Sequence, residues 1–156
     1  MHLKSARTSL RPVKFVFAAL LAAVLSASAT AYAFFSASDS PIGNWKTIDD
    51  ETGETKSLVK IYEVDGKIYG RVERLLLKPG ALCDQCEGDD HNKPIEGMVV
   101  MWGLSADDGE WSGGKIFDPQ KNKTYRCKIW LEDGGRKLKV RGYLGPFFRT
   151  QTWIRQ

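Results

Sequence analysis

Pro41-Ile42-Gly43-Asn44-Trp45-Lys46-Thr47-Ile48 reads as a strand, and Arg149-Thr150-Gln151-Thr152-Trp153-Ile154-Arg155 reads as a second one far along the chain. A Gly-x-Trp in a first strand and an arginine in a last strand can close a small antiparallel barrel on itself. Gly43, Trp45 and either Arg149 or Arg155 are therefore the candidate closure residues.

The segment between them is strands and turns. Extended runs cover 42–48, 57–64, 67–75, 98–103, 110–117, 123–131, 137–143 and 148–154. Thr52-Gly53, Asp65-Gly66, Asp108-Gly109, Lys121-Asn122 and Asp133-Gly134-Gly135 separate several of them. Asp-Gly between two apolar runs is a strong hairpin signal, because both residues tolerate positive φ. In Lys137-Leu138-Lys139-Val140-Arg141 the apolar and charged side chains alternate, giving one buried face and one wet face. Arg141 falls on the wet face. Tyr125, Cys127, Ile129 and Leu131 share an apolar face, which makes Cys127 a small core hydrophobe. Trp130, of opposite parity, is expected on the outer face. Eight short strands at hairpin spacing, with no useful amphipathic helix, predict an all-β, up-and-down antiparallel eight-stranded barrel.

The start of the chain is different. Lys4, Arg7, Arg11 and Lys14 precede an unbroken apolar run from Phe15 to Leu25, and Ala31-Tyr32-Ala33 has the A-x-A form. This predicts a signal peptide over 1–33, cleaved after Ala33, and hence a periplasmic or secreted protein. The apolar run is short for a membrane span. Phe34 follows the site, so no lipid-modified cysteine is expected. Residues 34–40 read as a short flexible N-terminus, and 41–156 as one barrel domain.

Processing also removes the charge imbalance. The full chain has 23 Lys+Arg and 19 Asp+Glu, and the first 33 residues carry four of the basic ones and no acidic one. The mature chain is thus balanced, with its charges interleaved. No nucleic-acid partner is expected, nor a stable membrane span after processing.

Residues 76–96 form a long loop poor in apolar positions, which contains Cys83-Asp84-Gln85-Cys86 and His91. Loops of this length in compact domains are usually functional or disordered. An oxidising compartment favours a Cys83–Cys86 disulfide that shapes the loop. Zinc or copper on Cys83, Cys86, His91 and Asp89 or Asp90 would lack a second Cys/His pair at familiar spacing. A thioredoxin-like redox pair needs a βαβ setting. Haem attachment needs histidine where Glu87 stands. His91 reads as an exposed loop residue. The expectation is no metal and no cofactor.

No catalytic constellation is visible. There is no G-x-S-x-G, no phosphate-binding glycine spacing, and no reason to pair any two carboxylates. The aromatic content is high: Trp45, Trp102, Trp111, Trp130 and Trp153, with Tyr62, Tyr69, Tyr125 and Tyr143 among the tyrosines. These residues suit core filling and cross-strand pairs, or a ligand cavity. Tyr69, Trp102, Trp111, Tyr125 and Arg149 are the candidate ligand contacts.

Ile42-Gly43-Asn44-Trp45, Lys46-Thr47-Ile48-Asp49-Asp50, Cys83-x-x-Cys86, Gly114-x-Ile116-x-Asp118-Pro119, Leu138-Lys139-Val140-Arg141-Gly142-Tyr143 and Thr150-Gln151-Thr152-Trp153-x-Arg155 together resemble the bacterial family known as domain of unknown function 2147. The resemblance spans nearly all of 41–155. It implies an exported bacterial protein with a lipocalin-like (calycin) barrel and no established activity. Gly43-x-Trp45 also resembles the lipocalin first-strand motif, in which a C-terminal arginine packs across the tryptophan. The chain is shorter than typical lipocalins, lacks a clear C-terminal helix and carries a cysteine-tied loop. The expected function is non-catalytic binding of a small apolar or amphipathic ligand inside the barrel, where an inward arginine would meet a carboxylate head. The alternative is a solidly packed barrel that acts as an envelope protein-interaction module through its surface loop.

Overall fold

The computed structural model describes residues 39–156. The expected signal peptide and its cleavage site lie outside the described residues. Eight strands follow in order: β1 (Gly43–Ile48), β2 (Thr55–Val64), β3 (Lys67–Leu75), β4 (Val99–Asp107), β5 (Glu110–Asp118), β6 (Lys123–Glu132), β7 (Lys137–Leu144) and β8 (Phe147–Arg155). Each pairs antiparallel with its sequence neighbours, and β1 pairs with β8, so the sheet is a closed up-and-down barrel.

The local chemistry explains the connections. Asp65 and Gly66, with φ of 50° and 73°, make a two-residue turn between β2 and β3, and Asp108 and Gly109 repeat it between β4 and β5. The alternation predicted from sequence holds in β7, where Leu138 and Val140 are buried and Lys137 and Lys139 are not. One strand is longer than its pattern suggested. Gly103 reads as a terminator, yet β4 continues through it to Asp107. The β3–β4 register slips here, from Ile68↔Leu104 to Gly70↔Met101. Gly103 absorbs the irregularity at φ 76°, as a bulge glycine does.

The core runs along the barrel axis and contains Trp45, Ile61, Met101, Leu104, Ile129 and Leu138, all fully buried. The β2–β3, β4–β5 and β6–β7 turns lie at one end with the start of β1. The β1–β2, β3–β4, β5–β6 and β7–β8 connections lie at the other. Residues 76–98 cross this second end. They are fixed by bonds from Cys83 N to Lys93 O at 2.8 Å and from Ile95 N to Ala81 O at 3.1 Å. Gly97 N also donates to Val72 O on the barrel wall at 2.7 Å. Cys83, Cys86 and Ile95 from this loop join the core.

Candidate functional site

The two ends of the barrel have different chemistry. At the first, Arg155 settles the question of closure. Its guanidinium carbon lies 4.2 Å from the centre of the Trp45 ring. Its Nε donates to Gly135 O at 2.7 Å, Nη2 to Ser40 O at 2.7 Å and Nη1 to Ile42 O at 3.1 Å. Partial burial lowers the Arg155 pKa from its ordinary value by desolvation. Trp45 Nε1 in turn donates to Pro41 O at 2.7 Å. Gly43 lies under the guanidinium at φ 137°, and a Cβ there would stand 3.0 Å from Arg155 Nη1. The backbone conformation favours glycine, and a side chain there would also push on the guanidinium. This end is sealed.

Arg149 does not take part in closure, which corrects its place among the candidate closure residues. It lies at the opposite end, ion-paired with Asp50 of the β1–β2 loop. Gln151 Nε2 donates to the same Asp50 carboxylate at 3.1 Å. The reason is register. Trp45 pairs with Arg155 across the β1–β8 seam, and Arg149 stands six residues up β8, towards the other rim.

That rim opens into a chamber of about 780 Å³. Its deep wall is apolar: Val59, Val72, Val100, Ile116, Val140 and Trp153. Buried hydroxyls interrupt this wall at one place, where Thr47 and Ser57 bond to each other at 2.7 Å. The rim is charged, with Asp49, Asp50, Glu51 and Asp118 facing Lys56, Lys78, Lys121 and Arg149. Asp49 caps the β1–β2 loop by accepting from Thr52 N at 3.0 Å and Glu51 N at 3.1 Å. Those amides, that of Thr52 first, hold its carboxyl below the ordinary carboxylate value. The cysteine loop contributes Leu77, Lys78, Ala81 and Ile95, so it forms part of the chamber. Trp153 is 3% exposed, and its indole Nε1 is a buried donor with no hydrogen-bond partner among the described residues. An unused donor in an apolar wall is the kind of group a bound acceptor satisfies.

Of the five expected ligand contacts, Tyr125 and Arg149 line this chamber. Tyr69 stands on the outer face, stacked on its cross-strand partner Tyr62 at 5.8 Å between ring centres. Trp102 lines a separate small cleft beside Cys86, Met98 and Phe117. Trp111 packs half-buried against the core, opposite Ile129. Sequence reasoning missed the Thr47–Ser57 pair and Asp50. The first shows in the parity of Thr47 with Trp45, but nothing local marks Asp50 as the partner of an arginine 99 residues away.

Cys83 and Cys86 are bonded to each other, with their Cα atoms 5.3 Å apart. This uses both thiols as the disulfide reading expects, and leaves neither as a metal ligand. His91 Nδ1 lies 2.9 Å from Cys86 O, within the loop. Among the described residues no three His, Cys, Asp or Glu side chains converge on a metal-sized site, and no helix is long and apolar enough to cross a membrane.

Comparison with solved structures finds a Helicobacter pylori protein described as belonging to the lipocalin family. The TM-score is 0.65 at 21% identity, covering 74% of this chain and 82% of that one. At this identity the likeness establishes the barrel fold. A search among curated proteins gave no match. The model of one family, described as uncharacterised protein conserved in bacteria (DUF2147), matches residues 43–155. With the match running from the first strand to the last, the chain belongs to this bacterial family, and its barrel shares the fold of that lipocalin-family protein.

Proposed function

We propose that the protein is a non-catalytic binding module, exported to the periplasm or beyond, that takes a small amphipathic ligand through the open end of its barrel. The chamber carries this reading. Its volume of about 780 Å³ falls within the usual range of ligand pockets, and it pairs an apolar depth with a polar mouth. An apolar tail would lie against Val59, Val72, Val140 and Trp153, leaving a polar head at the rim. Asp50 already neutralises Arg149, so the head would meet a mixed rim rather than one dedicated cation. Export is supported by the Cys83–Cys86 bond, since such bonds persist in oxidising compartments.

The test is displacement of a fluorescent fatty-acid probe, with native mass spectrometry of the purified protein to identify any co-purified ligand. Ile116 is half-buried in the chamber wall, so Ile116→Trp would occupy the space at modest cost to the fold. The expected result is probe affinity lowered about tenfold or more, equivalent to ~1.4 kcal/mol. Probe binding unchanged by this substitution would place the ligand outside the chamber.

A second reading, envelope protein interaction through the cysteine loop, has one observation in its favour: Leu76 and Leu82 on that loop are more than a third exposed. Deleting the loop would remove core residues Cys83, Cys86 and Ile95. Leu76→Ser with Leu82→Ser is the cleaner test, and loss of a partner without loss of probe binding would favour this reading.

A further inference from the structure

The outer face of β6, β7 and β8 is unlike the rest of the barrel. Cross-strand register places Arg126 beside Tyr143, Lys128 beside Arg141 and Trp130 beside Lys139. On the next strand Phe148 neighbours Tyr143 and Thr150 neighbours Arg141. These rows are welded together through rings. The Arg141 guanidinium carbon lies 4.9 Å from the Trp130 ring centre and 4.6 Å from that of Phe148. Arg126 lies 5.9 Å from the Tyr143 ring and Lys128 lies 5.4 Å from that of Trp130. Lys128 is also bonded to Glu110, whereas Arg126 rests on the Tyr143 ring, and Arg141 on two rings and on Thr150 Oγ1, which accepts from its Nε at 2.7 Å.

This basic and aromatic flank runs up to the chamber mouth and ends in an apolar tip. The β7–β8 hairpin presents Leu144 at 49%, Phe147 at 76% and Phe148 at 61% exposure. Core packing does not account for Phe147, the most exposed large apolar side chain in the described residues. At the strand rise of ~3.4 Å per residue, the Lys128–Arg141 row sits about 10 Å behind the Leu144–Phe147 row. An interfacial element buries its apolar side about 5–10 Å into the headgroup and acyl boundary. The spacing therefore sets the cations at phosphate depth when the phenylalanines reach the acyl chains.

From this arrangement we propose that the β7–β8 hairpin and the basic outer flank of β6–β8 form a docking surface for an anionic lipid bilayer. Apolar insertion and cation attraction to lipid phosphates act together here. The β1–β2 loop beside the hairpin carries Asp49, Asp50, Glu51 and Glu54, which an anionic surface repels. The barrel accordingly leans onto its β6–β8 side, with the chamber mouth facing the headgroups. Leu144, Phe147 and Phe148 also border the chamber mouth, whereas Arg126, Lys128, Trp130 and Arg141 lie on the outer wall, so the cationic half of the surface is independent of any occupant of the chamber.

The test is co-sedimentation with vesicles of phosphatidylcholine alone or mixed with phosphatidylglycerol, at low and high salt. Binding to the mixed vesicles is expected to exceed binding to phosphatidylcholine by about tenfold or more and to weaken with salt. Phe147→Ser with Phe148→Ser, and separately Arg126→Glu with Arg141→Glu, should each lower partitioning by about tenfold or more. Circular dichroism melts check that both variants fold. Phe147→Cys carrying an environment-sensitive label should shift to the blue on mixed vesicles. No binding to mixed vesicles, binding that the phenylalanine variant leaves intact, or capture of a single-stranded oligonucleotide in place of vesicles would each overturn the proposal. Probe displacement in vesicle-free solution reports on the chamber, and the variant carrying Arg126→Glu and Arg141→Glu, at residues outside the chamber lining, should leave that displacement unchanged, so the two readings fail separately.

Discussion

Arg155 covers the Trp45 ring at 4.2 Å and spends its donors on the carbonyls of Ser40, Ile42 and Gly135. One side chain thus ties the N-terminal approach, the β6–β7 turn and the last strand into a single plug. Removing it leaves carbonyls without partners and uncovers an indole. Arg155→Ala should cost about 2–4 kcal/mol of stability in urea unfolding, from lost charge-assisted bonds and the ring contact. Arg155→Lys should recover only part of this, because an ammonium has no planar fork. Arg149→Ala, which breaks an exposed ion pair at the other rim, should cost about 0–1 kcal/mol. Equal losses at the two positions would contradict the assignment of closure to Arg155.

Gly114 should tolerate alanine less well than Gly43. A Cβ at Gly114 would sit 2.5 Å from Trp102 O, 2.6 Å from Leu104 Cγ and 2.7 Å from Leu104 N. Two of these contacts are backbone, so β4 itself would have to move. At Gly43 the close atom is the tip of a flexible arginine, and the burden is the φ of 137°, of order 1–3 kcal/mol. Gly114→Ala is expected to give little folded protein, and Gly43→Ala a folded one with a reduced urea midpoint. The reverse ranking would mean that β4 and β5 pack less closely than described.

Burial pushes the Cys127 thiol up to about 12. The thiolate is the reactive form, so the native protein should resist iodoacetamide at mildly alkaline pH. Without reductant one thiol should alkylate, and only on unfolding, while Cys83 and Cys86 stay protected by their bond. A raised folded-state pKa also means stability that is full below the unfolded thiol value, ~8.5, and lost as pH climbs from there towards 12. Rapid labelling of Cys127 under native conditions would place it at the surface.

Acid should act on both ends of the barrel. Backbone amides lower the Asp49 carboxyl, and Arg136 lowers that of Asp133. A depressed folded-state pKa gives stability that is present above the unfolded value, ~3.9, and lost as pH falls through the lower native one. The thermal midpoint is therefore expected to hold from neutral pH down to about pH 5 and to decline below about pH 4. Asp49→Ala should speed amide exchange at Glu51 and Thr52 while leaving the Asp133 turn unchanged. Unchanged exchange there would show that the loop does not depend on this cap.

The strands and most turns were legible because their determinants are local: a two-residue alternation and aspartate–glycine pairs. Tyr69, expected as a ligand contact, was misplaced although the signal was there, since its parity with Lys67 and Arg71 puts it outside the barrel. Trp102 and Trp111 were not. Each adjoins an irregularity, at Gly103 for the first and in the β5–β6 register between Trp111 and Gly114 for the second. A bulge resets which face a side chain takes, and parity counted across it fails. The choice between Arg149 and Arg155 depended on the register of the β1–β8 seam, which joins residues more than 100 positions apart. No local pattern encodes that. The chamber was hidden for a related reason, because its shape depends on how 76–98 folds back over the mouth.

That seam is also the barrel's shortest ladder, with Trp45↔Arg155 and Lys46↔Ile154 as its aligned pairs. The neighbouring ladders join strands adjacent in sequence and can zip hairpin by hairpin with little loop-closure entropy. The seam alone must span nearly the whole domain. It is therefore expected to form last, once Ile154 and Arg155 of β8 meet β1. Until it forms, the sheet stays open and curling with Trp45 uncovered, and Arg155 completes the fold when it settles on that ring.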